Sequence, residues 1–230
     1  GTRLHAVMAG TDSGEWMNDE QRECVEWARE MVADVAGHSQ EYIEDNSSKE
    51  ETLELLSHVG IVLCFGTVDL VLRDADGVLC VVDYKFGRNE VPACSDNLQM
   101  AAYAAMVMQA CGEDKCRAAI VQPRLRRVDV YTYTNWPAIV ATIEAIVARC
   151  KAPDAPCVPG DEQCRYCRGA AECHALRGEC VALANAEPYQ AVSKLTAEEM
   201  AATWDRWQLA NRYGKALEEA VRAEIEQFGS

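Results

Sequence analysis

Two aspartates and a lysine fall inside runs that otherwise read as buried β-strand. Gly66-Thr67-Val68-Asp69-Leu70 puts a carboxylate among strand formers, and Val81-Val82-Asp83-Tyr84-Lys85 puts a second carboxylate and an ammonium two residues apart. Strand side chains alternate between faces, so Asp83 and Lys85 share one. Charges in such apolar company are costly unless they are paired or bound to a cation. Two carboxylates converging from adjacent strands form an oxygen-rich site for a hard cation such as Mg²⁺. Gln99 and Tyr103, four residues apart in a helical stretch, lie on one helix face and can offer two hydrogen-bonding groups to Lys85. The competing reading is a buried Asp–Lys ion pair beside unrelated helix polars.

A second constellation is Cys164-x2-Cys167-x5-Cys173. Three cysteines this close point to metal, and both tetrahedral Zn²⁺ and a [4Fe–4S] cluster need four ligands. Cys24, Cys64, Cys80, Cys111, Cys116 and Cys150 stand singly among apolar neighbours and read as packing residues.

These groups need positioning elements. A short helix opens the chain, and residues 18–35 form a second, capped by Asn18 with Gln21 at its third position. Residues 37–50 are polar and read as a loop. Residues 52–56, 62–72 and 78–85 are rich in strand formers, the last two joined through Asp74-Ala75-Asp76-Gly77 as a hairpin. A helix at 95–110, strands at 117–122 and 128–132, and a helix at 137–149 complete a β-β-β-α-β-β-α order. That order predicts an α/β core with a mixed central sheet flanked by helices. Proline-rich residues 151–161 read as a loop before the cysteine-rich segment. Thr196 and Glu199 make a capping box for a long helix. Its apolar stripe of Met200, Trp204, Trp207, Leu217, Val221, Ile225 and Phe228 is expected to pack in a core or on a partner. The division expected is a core at 1–150, a cysteine-rich segment at 151–185 and a C-terminal helix at 186–230.

The 230 residues carry 22 Lys+Arg against 37 Asp+Glu, a formal charge of −15. That balance disfavours a partner made of phosphates, except for a metal-dependent nuclease, which itself needs carboxylates. The acidity is uneven. Residues 121–180 carry eight basic and seven acidic side chains, while every other part of the chain is net acidic. Arg124, Arg126, Arg127, Arg165 and Arg168 fall there and are the natural phosphate contacts, with a solvated face as the alternative. No stretch approaches the roughly 20 apolar residues that span a bilayer, and there is no secretory signal, so no membrane and a reducing cytoplasm are expected. The start at Gly1, without Met, suggests a fragment or processed form.

In order and spacing these motifs resemble the RecB-like branch of the PD-(D/E)xK nuclease superfamily, over roughly residues 1 to 175. The branch's elements read here as Gly1-Thr2-Arg3-Leu4-His5, Gly66-Thr67-Val68-Asp69, Asp83-Tyr84-Lys85 and Gln99-Met100-Ala101-Ala102-Tyr103. The stretch Asp83-Tyr84-Lys85-Phe86-Gly87 also looks like that of phage- and prophage-associated exonucleases. The resemblance implies a restriction-endonuclease-like core and hydrolysis of DNA phosphodiesters in phage or prophage recombination or repair, in a bacterial host cytoplasm. Such a system implies a recombination protein or helicase as partner. It implies that His5, Asp69, Asp83 and the Tyr84 carbonyl hold Mg²⁺ or Mn²⁺. Lys85 is then the group that positions or deprotonates the attacking water, with Gln99 and Tyr103 orienting it or the phosphate. It further implies that Cys164, Cys167 and Cys173 hold an iron–sulfur cluster whose fourth cysteine precedes the His5 helix, a position this sequence does not include. Cys157 or Cys180 could substitute for it, with Cys157 the first choice, or Zn²⁺ could replace the cluster. Two other readings stay open: a non-catalytic DNA- or protein-binding module with a structural metal, and an endonuclease.

Overall fold

The computed structural model describes residues 2–39, 42–43, 47–185 and 195–228 and divides into two compact units, 1–152 and 153–230. The cysteine segment and the long helix therefore belong to one unit, and the boundary expected at 185/186 abuts residues outside those described. Among the described residues no helix is long and apolar enough to cross a membrane.

The first unit is an α/β layer structure. Helices α1 (Thr2–Ala9) and α2 (Asp19–Ala36) precede strands β1 (Ser48–Leu56), β2 (Val62–Arg73) and β3 (Leu79–Tyr84). Helix α3 (Leu98–Cys111), strands β4 (Lys115–Gln122) and β5 (Arg127–Thr134), and helix α4 (Trp136–Lys151) follow. The five strands lie in sequence order, antiparallel except for the parallel β3–β4 pair. Only that parallel step needs a crossover, and α3 supplies it.

Both sheet faces are covered. On one, α1 and α2 pack Val7, Val25, Ala28 and Val32 against Leu70, Cys80, Val82 and Tyr84. On the other, α3 and α4 pack Met100, Ala104, Met108 and Ile143 against Val68, Val81 and Ile120. Strand β3 is buried throughout, as a strand sandwiched between two helical layers must be. The Asn18–Gln21 capping box forms as its sequence predicts, and Asp74 Oδ1 accepts from the Asp76 and Val78 amides to fix the β2–β3 turn.

Three expectations change. Strand β1 starts at Ser48, inside the polar stretch read as a loop, because Ser48 and Lys49 pair with Val71 and Leu70 at a sheet edge where solvent-facing polar residues are tolerated. Helix α3 starts at Leu98, since the Asn97 side chain caps the Gln99 and Met100 amides. Cys111 and Cys150 are exposed rather than packed, because each falls in the last turn of a helix that has left the core.

In the second unit, one helical turn at Asp161–Cys164 precedes α5 (His174–Ala184) and α6 (Ala197–Phe228). Thr196 and Glu199 exchange both capping-box hydrogen bonds. The apolar stripe of α6 is not buried: Met200, Trp204, Trp207, Leu217, Val221 and Ile225 are all exposed, with the two indoles stacked at 4.9 Å.

Candidate functional site

The site forms where the β2–β3 ladder opens. Register runs from Arg73–Leu79 to Leu70–Val82 and stops. At the next position the Asp69 side chain takes over the ladder's work, its Oδ2 accepting the Tyr84 N–H at 2.7 Å. Alternation along β3 sends Tyr84 to the α1–α2 side and hence Asp83 to the α3 side. Lys85 follows immediately, its amide donating to Val121 O at 2.9 Å.

On the α3 side, Lys85 Nζ lies 2.7 Å from Asp83 Oδ2 and donates to Gln99 Oε1 at 3.1 Å. Gln99 Nε2 donates to the Tyr103 hydroxyl at 3.0 Å and sits 3.5 Å from Asp83 Oδ1. The sequence-predicted quartet of Asp83, Lys85, Gln99 and Tyr103 is thus one connected set. The Asp83 side chain is only 4% exposed. Its Oδ2 is held by the Lys85 ammonium, so the carboxylate is a buried member of a charge pair. Burial pushes the Asp83 carboxyl above its ordinary value, with Lys85 pulling it down and Asp69 adding to the rise.

Gly66 makes the α3 approach possible. A Cβ there would stand 2.6 Å from Tyr103 Cε1, inside van der Waals contact with a ring that cannot fold away. Gly66→Ala is expected to displace Tyr103 and with it Gln99, costing about 1–3 kcal/mol and lowering any activity of the site. Chemical denaturation and a cleavage assay on the same preparation check this.

On the α1–α2 side, His5 Nδ1 lies 3.2 Å from Asp69 Oδ1, and its ring meets Phe86 edge-on at 5.4 Å. Asp69 therefore joins the two halves of the site. A third ligand is present that sequence reasoning missed. One ligand atom each from His5, Glu50 and Asp69 lie within 4.8 Å of one another. Glu50 sits between the Lys49–Leu70 and Glu51–Val68 pairs, opposite Asp69, with a left-handed backbone at φ 53°. That conformation is costly for a non-glycine residue and concentrates at functional positions. Its one sequence signal was an acid facing Asp69 across an antiparallel pair, hidden because residues 37–50 read as a loop.

The hydrogen bond to Asp69 raises the His5 pKa above 6.5 against desolvation, and the charges of Asp69, Asp83 and Glu50 add to the rise. In the metal-free protein this pairing contributes stability that is complete below the unfolded pKa and is lost as pH rises through the higher folded value. The melting temperature of metal-free wild type should therefore fall relative to His5→Asn between about pH 6 and about pH 8. Parallel pH profiles of the two proteins would remove the pairing.

The expected phosphate-binding arginines are differently engaged. Arg124 donates to Phe86 O and pairs with Glu20, Arg126 pairs with Glu23 beside the Trp27 ring, and Arg127 lies 3.6 Å from Glu90. Their near-neutral segment is thus neutralised by α2 and by the loop after β3, an outcome that local charge counting could not contain. Arg165 and Arg168 belong to the second unit. There Cys157 shares a hydrogen bond with Cys173 and lies near Cys167, so that the neighbouring sulfurs raise its thiol pKa. Gly160 N–H points at Cys164 Sγ and Leu176 N–H at Cys173 Sγ. Among the described residues no three of these sulfurs come within 4.8 Å of one another. Among these residues the four sulfurs expected from sequence are therefore not drawn together at ligand spacing.

This combination is an α/β protein with a carboxylate–histidine–lysine site at the open end of a mixed sheet. The chain belongs to the DUF2800 family, described as proteins of unknown function, whose model matches residues 3–230. Among solved structures, the crystal structure of SSO0001 is similar over 64% of this chain and 67% of its own, at 15% identity and a TM-score of 0.38. No curated protein matches the chain.

Proposed function

We propose that the protein is a metal-dependent DNA nuclease of RecB-like type, acting as an exonuclease in phage or prophage recombination or repair in a bacterial host cytoplasm. The observation that supports it best is the convergence of Asp69, Asp83, Lys85 and Gln99, with His5 and Glu50 beside Asp69, at one end of the sheet. The donors at ligand spacing fit Mg²⁺ or Mn²⁺: the Glu50 and Asp69 carboxylates and the His5 imidazole, with Asp83 outside that group and paired to Lys85. A divalent ion bound there supplies Lewis acidity and a more acidic water.

The residues supply the rest. An ammonium has three N–H donors. Lys85 directs one at Gln99 Oε1 and leans on Asp83 Oδ2, which leaves a donor for a non-bridging phosphoryl oxygen or the attacking water. Gln99, anchored to Tyr103, stops the ammonium from swinging to solvent. Asp69 fixes both the Tyr84 amide and His5, so the chain's direction past the site and the imidazole are set by one carboxylate. In this reading the exposed stripe of α6 serves a protein partner, a recombination protein or helicase. The cysteine segment holds zinc or an iron–sulfur cluster, which metal analysis of a longer protein made anaerobically decides.

The test incubates linear and closed circular DNA, single- and double-stranded, with Mg²⁺ or Mn²⁺, with Lys85→Ala as the control. Degradation of linear DNA alone supports an exonuclease, and cutting of closed circles turns the reading to an endonuclease. No metal-dependent cleavage of any substrate by a full-length protein sinks it in favour of a binding module.

A further inference from the structure

Past Asp69 the β1–β2 ribbon runs on without β3, which pairs with β2 only from Leu70 to Arg73. Its two faces differ. Leu53, Leu55, Cys64 and Val68 turn to the α3 side and pack there. Alternation sends Thr52, Glu54, Phe65 and Thr67 to the side of His5, where all four are exposed. Thr52 stands opposite Thr67 and Glu54 opposite Phe65. The two threonine hydroxyls lie 3.0 Å apart, as residues sharing a face must. Thr67 and Phe65 thus continue the row that Asp69 begins, at two-residue steps of about 6.8 Å.

Phe65 is the odd residue of this face, with 75% of its surface exposed. A lone exposed apolar side chain means little by itself, but this ring has a carboxylate directly across the strand pair. That pairing selects an occupant. Glu54 repels a phosphate, and a ring beside an acceptor suits a flat group carrying N–H donors. A nucleobase is such a group: its face stacks on the phenyl ring and its Watson–Crick edge meets the carboxylate. Guanine fits best, because its N1–H and N2–H lie side by side and match both oxygens of a carboxylate. Thymine fits worst, because its N3–H stands between two carbonyl oxygens that an anion repels. Pairing occupies these edges in a duplex, so the base must be unpaired. The threonine pair uses one of its two O–H donors internally, which leaves the other for an oxygen of the same strand.

We propose that Phe65 and Glu54 form a platform for an unpaired base of the DNA strand, guanine above all, on the approach to the candidate cation site. This rests on the nuclease reading for where the strand leads, but base binding itself does not. Two steps along β2 put Phe65 about 14 Å from Asp69, roughly four nucleotides at the 3.4 Å rise of a stacked strand. The platform therefore gives the enzyme a preference for DNA that is single-stranded near the scissile bond.

Binding is measured by fluorescence anisotropy on the Lys85→Ala protein with Mn²⁺, so that the strand is held without being cut. The probes are a labelled all-thymine oligonucleotide and one with guanine at alternate positions, at constant ionic strength. The guanine strand should bind about tenfold more tightly, the scale of one bidentate contact. Phe65→Ala should weaken its binding about tenfold, as for loss of a base–aromatic stack, and Phe65→Trp should keep it. Glu54→Gln, which keeps the size and loses the anion, should bring the two oligonucleotides close to parity. All three substitutions are at exposed positions, and unchanged melting temperatures exclude a folding defect.

No binding of either strand, equal binding with and without the Phe65 ring, or a guanine preference that survives Glu54→Gln overturns the platform. If the variants behave as expected but the Lys85-containing protein cuts no DNA under any condition, the platform stands and the nuclease reading falls.

Discussion

Lys85→Ala should lower metal-dependent DNA cleavage by about a thousandfold, within the range for loss of a positioned proton-transfer or charge-stabilising group. Mn²⁺ binding should be nearly retained. The ammonium is not among the oxygen and imidazole donors but is held beside them by Asp83 and Gln99. A loss confined to turnover identifies Lys85 as acting on the phosphoryl group or the attacking water. If Mn²⁺ binding and cleavage fell together, Lys85 would be holding the ligands in place. Equal cleavage by the variant would remove the assigned site. Lys85→Arg should not restore activity, because a planar guanidinium cannot make the ammonium's compact contacts to Asp83 and Gln99.

Asp83→Asn should have two opposite effects, and the pair of them is diagnostic. Cleavage should become undetectable, because the anion that holds the Lys85 ammonium in place is lost. The metal-free protein should be as stable as wild type, or more stable by about 0.5–2 kcal/mol, as when a strained functional site is relaxed. Burial already pushes the Asp83 carboxyl toward its neutral form, so the charge is carried at a cost even beside the Lys85 ammonium. The bland alternative, a structural Asp83–Lys85 pair, predicts the reverse: removing one partner of a buried pair costs about 3–5 kcal/mol. Denaturant unfolding in chelator, beside the cleavage assay, separates them. A variant that is unfolded or strongly destabilised would return Asp83 to a structural role.

Much of this arrangement is legible along the chain. Period-two patterning with charges at Asp69, Asp83 and Lys85 locates the strands and their odd residues, and the i, i+4 spacing of Gln99 and Tyr103 puts both on one helix face. Each depends on local geometry that a short segment dictates by itself. The same logic gives the α2 capping box and the Asp74–Gly77 turn, where side chain and amide are within a few residues. It fails where the partner is distant. The pairing of Arg124 with Glu20 and of Arg126 with Glu23 spans most of the first unit, so counting charge by segment assigned these arginines to a polyanion. Cys111 and Cys150 read as packing because their neighbours are apolar, but helix ends leave the core. The stripe on α6 predicted burial from pattern alone, and amphipathicity says only that a face could be covered.

The sequence by itself determined the strand–helix order, the mixed sheet and the acid–lysine–glutamine–tyrosine set, because alternation and helical spacing are properties of adjacent residues. Only the tertiary structure decided that the ladder opens at Asp69 and that Glu50 turns left-handed opposite it. Those facts depend on which strands pair, in what register, and on which charges meet across layers. A residue's own neighbours in the chain carry no record of that.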